Sequence, residues 1–340
     1  MNTTLNIEQG SEKDRVLIPA SAIPSYRVWK ARERGVHRNF LITTWGGLGD
    51  QVCAEPVIRY ALKTFNKCDI SLYSEAPELF EHLKFKNVFR VGDKDNKPNL
   101  EDYIHFTSIQ NPDTLLWEFA NHMITHCVDF VSICMFRCQL PNAQKEINLP
   151  DYPNTVDYDV NNSVVVHAGK HWQSKTFPKQ WWDDVIGELK KRSFDIVLIG
   201  KDGSTTAENT GYVDVDSSGC IDTRDKLNLK QLVGLLKSSK YVLTNDSSPI
   251  HIAASGDAFI GFVASCKHPD YIMHWRKGQW AYKMKNFGLD GAWNYWDNNP
   301  AQSDTGAEIS VEKLPEGVLE KILPDPRTVA SHYEFLRGEK

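Results

Sequence analysis

Residues 244–254 read TNDSSPIHIAA, and this stretch decides the fold. The apolar run Tyr241-Val242-Leu243-Thr244 predicts a buried strand, and Asn245, Asp246, Ser247 and Ser248 supply N-cap side chains. Pro249 follows where a first helical turn tolerates a missing N–H, and Ile250 to Ala254 continue as helix. A strand that turns straight into a helix aims unpaired backbone N–H groups and the positive end of a helix dipole at one spot, which suits an anion and most naturally a phosphate. Capping residues also open ordinary helices of α/β domains, so the corner takes its meaning from the rest of the chain.

Upstream of it, residues 227–236 form an amphipathic pattern assigned a structural role only. Further back, Ser163-Val164-Val165-Val166-His167 predicts a strand. It is followed by Ala168-Gly169-Lys170, a polar loop reaching Lys175, a helix over 179–192 and a strand over 195–200. The first half opens the same way. The strand FLITTW runs into Gly46-Gly47-Leu48-Gly49 and Asp50, then a helix with apolar positions at Val52, Ala54, Val57, Ile58, Ala61 and Leu62. Glycines let the backbone turn sharply and a ligand approach, and Asp50 falls at the helix start. A dinucleotide fingerprint would need glycine where Val52 stands. Strands at 69–73 and 88–91, a short helix at 76–83, a surface loop at 93–102 and a helix at 114–136 complete this half. The Asp-, Asn- and Pro-rich residues 151–162 read as a linker. Two βαβ beginnings predict an α/β chain of two Rossmann-like domains facing across a cleft, with ligands at the carboxyl ends of the strands. The expected boundaries are 1–155, 156–315 and a C-terminal helical segment 316–340, expected to pack back on the first domain.

The composition is that of a globular protein: 340 residues, 41% hydrophobic, net charge -5. No apolar run reaches the length of a membrane span, and the start MNTTLNIEQGSEKDR is polar and acidic, so the expected location is cytoplasmic. Seven irregularly spaced cysteines predict reduced thiols, with Cys127, Cys134 and Cys138 on an apolar helix face; His122 and His126 beside them read as a helix-surface pair and not as a metal site. Two basic clusters stand out. One is Arg27, Lys30, Arg32, Arg34, His37 and Arg38. The other interleaves Lys267, His268, Arg276, Lys277, Lys283 and Lys285 with Tyr271, Trp275, Trp280, Tyr282, Trp293, Tyr295 and Trp296, a pattern that can hold phosphates and stack on bases or sugars or simply close over a core edge.

Taken together, the glycine loop with Asp50, the His167-Ala168-Gly169 turn with Lys175 before Phe177-Pro178 and Trp181, and Asn245-Asp246-Ser247-x-x-x-His251 resemble glycosyltransferase family nine. These are the ADP-heptose:lipopolysaccharide heptosyltransferases, of GT-B fold, and the resemblance spans roughly residues 39–265. It implies that Asp50 is the general base on the acceptor hydroxyl, that Lys175 contacts the donor's diphosphate, and that Asp246, Ser247 and His251 hold it too. Ser248 replaces the family's usual glycine, which puts the donor geometry there in question. Gly47, Gly49 and, near the donor's nucleoside, Asp222 are counted with the donor contacts.

Displacing a nucleotide diphosphate from a sugar carbon needs a base for the acceptor proton and positive charge for the leaving group. The expected activity is therefore inverting, metal-independent transfer from a nucleotide-diphosphate sugar, with no cofactor. Asp214-Val215-Asp216 spells the D-x-D that holds metal elsewhere, and is read as a bystander at a strand end. The acceptor is expected to be either a lipopolysaccharide core saccharide or 5-hydroxymethylcytosine in duplex DNA, as for phage glycosyltransferases. Trp275, Arg276, Lys277 and Trp280 are the candidate acceptor contacts. A non-catalytic sugar-nucleotide-binding or assembly module is the alternative of another class.

Overall fold

A computed structural model describes residues 38–108, 126–136, 139–171, 175–202, 211–265, 268–288 and 318–338. Most of the first basic cluster, His122, Cys138, Lys267, Trp293, Tyr295 and Trp296 lie outside them. The chain forms two compact units, Met1–Pro150 and Asp151–Lys340. Among the described residues no helix is long and apolar enough to cross a membrane.

The first unit is built on β1 (Asn39–Thr44), which leads into α1 (Leu48–Thr64). β2 (Asp69–Ser74), β3 (Val88–Arg90) and β4 (Ile104–Thr107) follow, and then α2 (Cys127–Phe136). The four strands are parallel in the order β3-β2-β1-β4. β1 is buried along its length after Asn39, with Phe40-Leu41-Ile42 apolar and the buried Thr43 and Thr44 hydroxyls closing it. Phe40, Phe65, Phe106 and Phe136 meet edge to face or tilted and knit the sheet to α1 and α2. Residues 76–83 do not form the expected helix: only Pro77–Phe80 make a 3-10 turn, as suits a four-residue piece opened by proline. Cys127 and Cys134 are buried and form no disulfide among the described residues, and His126, expected on the helix surface, is buried as well.

The second unit carries β5 (Ser163–His167), β6 (Gly169–Lys170), α3 (Lys179–Lys191), β7 (Asp195–Leu198), β8 (Gly211–Tyr212) and β9 (Ile221–Asp222). After them come α4 (Leu229–Ser238), β10 (Tyr241–Asn245), α5 (Ser248–Ala254), β11 (Phe259–Val263) and α6 (Pro269–Ile272). β12 (Trp275–Arg276), β13 (Gln279–Trp280), β14 (Met284–Asn286), α7 (Val318–Ile322) and α8 (Pro326–Gly338) complete it. Its main sheet is parallel in the order β14-β11-β10-β5-β7-β9. The chain therefore leaves β5 toward one edge and returns through β10 toward the other. The carboxyl ends of β5 and β10 are the topological switch point, where open α/β sheets form a ligand crevice. α4 opens with a reciprocal capping box between Asn228 and Gln231.

Phe177, Trp181 and Trp182, the aromatic part of the motif around Lys175, are all buried in this unit's core. The C-terminal helix belongs to the second unit's packing: Val329, Ala330 and Tyr333 of α8 enter that unit's core, against α3 and the sheet. The Tyr333 hydroxyl donates to Val242 O at 2.6 Å, and the Trp181 indole donates to Pro324 O at 2.8 Å. Gly261 makes room for that tyrosine, since a Cβ there would stand 2.3 Å from its hydroxyl.

Candidate active site

In the second unit, β10 lies beside β5 in a register that sets Thr244 next to His167. The His167 Nδ1 is 3.0 Å from Ser247 Oγ and 3.3 Å from Thr244 Oγ1. Burial pulls the titration of His167 down to about 4, so it is neutral at pH 7. The Asn245 amide donates to Gly169 O at 3.0 Å and to Lys175 O at 2.5 Å, which ties the loop after β6 to the end of β10. Gly169 is needed there: a Cβ would come within 2.5 Å of Asn245 Oδ1 and 2.6 Å of His167 Cε1. The loop so held delivers the Lys175 ammonium to Asp246 Oδ2 at 2.6 Å, with the two side chains 15% and 8% exposed.

Ser247 occupies the N-cap position of α5, but its side chain makes no capping bond. Its hydroxyl is instead engaged with His167, Thr244 and the Asn245 amide oxygen. Ser248 and Pro249 fill the first helical turn, and His251 follows one turn after Ser247 on the same side of the helix. His251 is buried, with Nδ1 2.7 Å from His274 Nε2. Lys175, Asp246, Ser247, Ser248 and His251 thus converge at the β5/β10 switch point. His167, Gly169 and Asn245 support them: the sequence marks Asn245 as an N-cap residue and His167 and Gly169 as the end of a strand and the turn after it, but not the bonds that join them.

Other expected residues lie elsewhere. Asp222 ends the edge strand β9, two strands from β5 and so about 10 Å away. Its Oδ1 accepts from Arg224 N and Nε and its Oδ2 from Arg224 Nη2, which holds the carboxyl below its ordinary range. Asp214 pairs with the same arginine at 3.2 Å, and Asp216 Oδ1 accepts from Ser218 N in a turn, so the D-x-D lies outside any strand.

The second basic cluster forms a β12/β13 hairpin through Lys277 and Gly278, both at positive φ, which is type I′ geometry. Trp275 and Trp280 pair across it with ring centroids 5.7 Å apart, and Trp280 is exposed. Arg276 corrects the reading of an acceptor contact: it is 3% exposed. Its guanidinium donates to the carbonyls of Ala254, Gly256, Ala258 and Tyr282, at distances from 2.7 to 3.2 Å. Burial brings it down to about 10, still charged at pH 7. Lys277 and Lys283 both pair with Asp257. Of the cations read as available for DNA phosphates, Arg276 is thus buried, and Lys277 and Lys283 sit in pairs at the surface.

In the first unit, Gly46 at φ +96° turns the chain out of β1, and Gly47 is the N-cap of α1. Gly49 and Asp50 stand in the first turn, with Asp50 exposed and favoured by the helix dipole. Behind them Gln51, 3% exposed, fastens the corner: Nε2 donates to Gly46 O at 3.4 Å, and Oε1 accepts from Ala76 N at 3.2 Å and from the Thr44 and Ser74 hydroxyls at 3.3 and 3.1 Å. One turn on, the fully buried Glu55 accepts from Arg59 Nε and Asn148 N. Polar residues four apart on a face otherwise apolar were the signal in the sequence that could have found this support.

Residues 120–259 match glycosyltransferase family 9 (heptosyltransferase). No protein of curated function matches the chain in sequence. Among solved structures, the iron-containing dodecameric glycosyltransferase TibC from enterotoxigenic E. coli H10407 is similar with a TM-score of 0.60 and 14% identity, over 88% of this chain and 76% of that one. The dodecameric iron-containing heptosyltransferase TibC in complex with ADP-D-beta-D-heptose gives 0.59 and 13%, over the same shares. E. coli ADP-heptose lps heptosyltransferase II gives 0.53 and 13%, over 88% and 98%. At these identities the likeness establishes the α/β fold of GT-B type, and the family match establishes the chemistry class. The chain is a glycosyltransferase, and its residues 120–259 carry a glycosyltransferase family 9 (heptosyltransferase) domain.

Proposed function

We propose that the chain moves a sugar, heptose in the first instance, from a nucleotide-diphosphate sugar to an acceptor hydroxyl with inversion and without a metal. The observation that carries this is the second unit's switch-point corner, where Lys175, Asp246, Ser247 and His251 converge on a helix start. The solved complex of TibC with ADP-D-beta-D-heptose supports the choice of donor. The diphosphate takes its place against the Lys175 ammonium and the first-turn N–H groups of α5. Asp246 acts on it through the lysine, since a carboxylate facing phosphate directly would repel it. The Ser248 hydroxyl is a further donor at that turn.

Chemically, the acceptor oxygen attacks the anomeric carbon as the bond to the diphosphate breaks on the opposite face. Asp50 accepts the hydroxyl proton, and Lys175 and His251 stabilise the charge that grows on the leaving group. Gly47 and Gly49 let substrate approach the Asp50 corner. The acceptor that agrees best with the comparisons is a lipopolysaccharide core saccharide, as in the name of E. coli heptosyltransferase II. A cytoplasmic site of action goes with this reading. A DNA acceptor draws no support from the hairpin, whose Arg276 is buried and whose Lys277 is paired.

Turnover of ADP-heptose with a core saccharide, measured with and without EDTA, tests the proposal. Asp50→Asn is expected to lower turnover by about 10²–10⁴-fold with ADP affinity unchanged. Undiminished turnover would remove Asp50 as the base. ADP binding with no transfer to any saccharide would favour the non-catalytic module, and loss of activity in EDTA would end metal independence.

A further inference from the structure

We infer that His274, outside the motifs that carried the family resemblance, is the positioning residue that sets the hydrogen-bonding state of His251. The inference rests on the reading of the switch-point corner as a diphosphate site. His274 is fully buried, its Nε2 lies 2.7 Å from His251 Nδ1, and the two rings are nearly perpendicular at 84°. At that separation one proton lies between the two nitrogens.

The consequence for His251 follows from counting protons. When His274 Nε2–H donates to His251 Nδ1, neutral His251 must carry its own proton on Nε2. When the pair holds one more proton, His251 donates through Nδ1 and still keeps Nε2–H. Both states present a donor at His251 Nε2, which an acceptor-only phosphate or developing oxyanion requires. The remaining neutral arrangement, with His251 Nε2 bare, is the one an anion disfavours.

The fold holds His274 firmly enough for this task. Its backbone N–H contacts Met284 Sδ at 3.2 Å, and its carbonyl accepts from Ala281 N at 2.9 Å. Two residues on, the Arg276 guanidinium grips the carbonyls of Ala254, Gly256 and Ala258 at the end of α5, the helix that carries His251. The hairpin is thereby clamped to the far end of that helix while His274 meets its first turns. The basic and aromatic segment serves the donor corner from behind.

The test combines a spectroscopic and a binding readout on the full chain. Nitrogen-15 chemical shifts of histidine-labelled protein report the tautomer of His251, assigned with His251→Gln. ADP alone, titrated calorimetrically, reports the phosphate site. Wild type is expected to show His251 protonated on Nε2. His274→Phe is expected to mix its tautomers and weaken ADP binding about two- to threefold, the loss that follows when the Nε2–H tautomer falls to between a half and a third of the population. His274→Gln, whose amide reaches the Nε2 position, is expected to restore the single tautomer and the wild-type affinity. A bare Nε2 on wild-type His251 overturns the inference without any variant. So does His274→Phe if it leaves either the tautomer or ADP affinity unchanged, or His274→Gln if it fails to rescue. If wild type does not bind ADP at all, the donor reading falls, whereas the nitrogen shifts still decide whether His274 governs His251.

Discussion

The Lys175–Asp246 pair makes the sharpest quantitative claim about the donor corner. Lys175→Met leaves the Asp246 carboxylate, 8% exposed, without its cation, and Asp246→Asn leaves an ammonium 15% exposed without its anion. Removing one partner of a buried pair costs about 3–5 kcal/mol, and the residual solvent contact here trims that to about 2–3 kcal/mol for each variant. Because each single loss is mostly the cost of stranding the other charge, the double variant, which strands neither, is expected to cost under about 1 kcal/mol. That leaves a coupling of about 4 kcal/mol. Urea titration of the second unit's transition, followed by tryptophan fluorescence, measures this, with equal slopes required across the set. ADP affinity separates the two roles: Lys175→Met is expected to lose at least about tenfold, and Asp246→Asn, which keeps the ammonium, less than about threefold. Additive single variants, with coupling under about 0.5 kcal/mol, would refute the pair. Undiminished ADP affinity in Lys175→Met would refute its contact with phosphate.

Three further outcomes are expected. His167 is neutral in the fold with its titration lowered to about 4, against about 6.5 in the unfolded chain, so its contribution is whole above pH 6.5 and is lost as pH falls toward 4. Replacing it by Gln should remove up to about 3 kcal/mol of acid sensitivity in that window, and stability curves of equal slope would dismiss the effect. Arg276→Met strands four carbonyl groups and should destabilise the second unit by about 3 kcal/mol or more, read by urea titration. A change under about 0.5 kcal/mol would return Arg276 to the surface. Tyr333→Phe deletes the bond to Val242 O inside the core and should cost about 1–2 kcal/mol in the same assay, whereas no cost would place the C-terminal helix elsewhere.

The sequence by itself determined the local grammar. Apolar runs at β1, β5 and β10 announced strands buried on both faces, and the polar residues after two of them, with Pro249 or the glycines, announced helix starts. Those signals act over a few residues, so they survive without tertiary context and were enough for two βαβ beginnings and for Asp50 and Asp246 at the two helix starts, whereas Lys175 and His251 were singled out only through the family resemblance. Which strands lie side by side was decided by the fold alone. His167 meets Ser247 across eighty residues, and Lys175 meets Asp246 across seventy-one, only because β5 and β10 share the switch point. The same holds for burial: Arg276, Lys277 and Trp275 spell a binding patch in one dimension, yet three carbonyls at and just beyond the end of α5, with that of Tyr282, draw the arginine inward and leave the segment as a clamp. Glu55 and Gln51 show the converse, polar residues on an apolar face whose partners arrive from β2 and from near Asn148. A side chain's chemistry is written locally, but its partner, and so its charge state and exposure, is set by packing between segments that are distant in sequence.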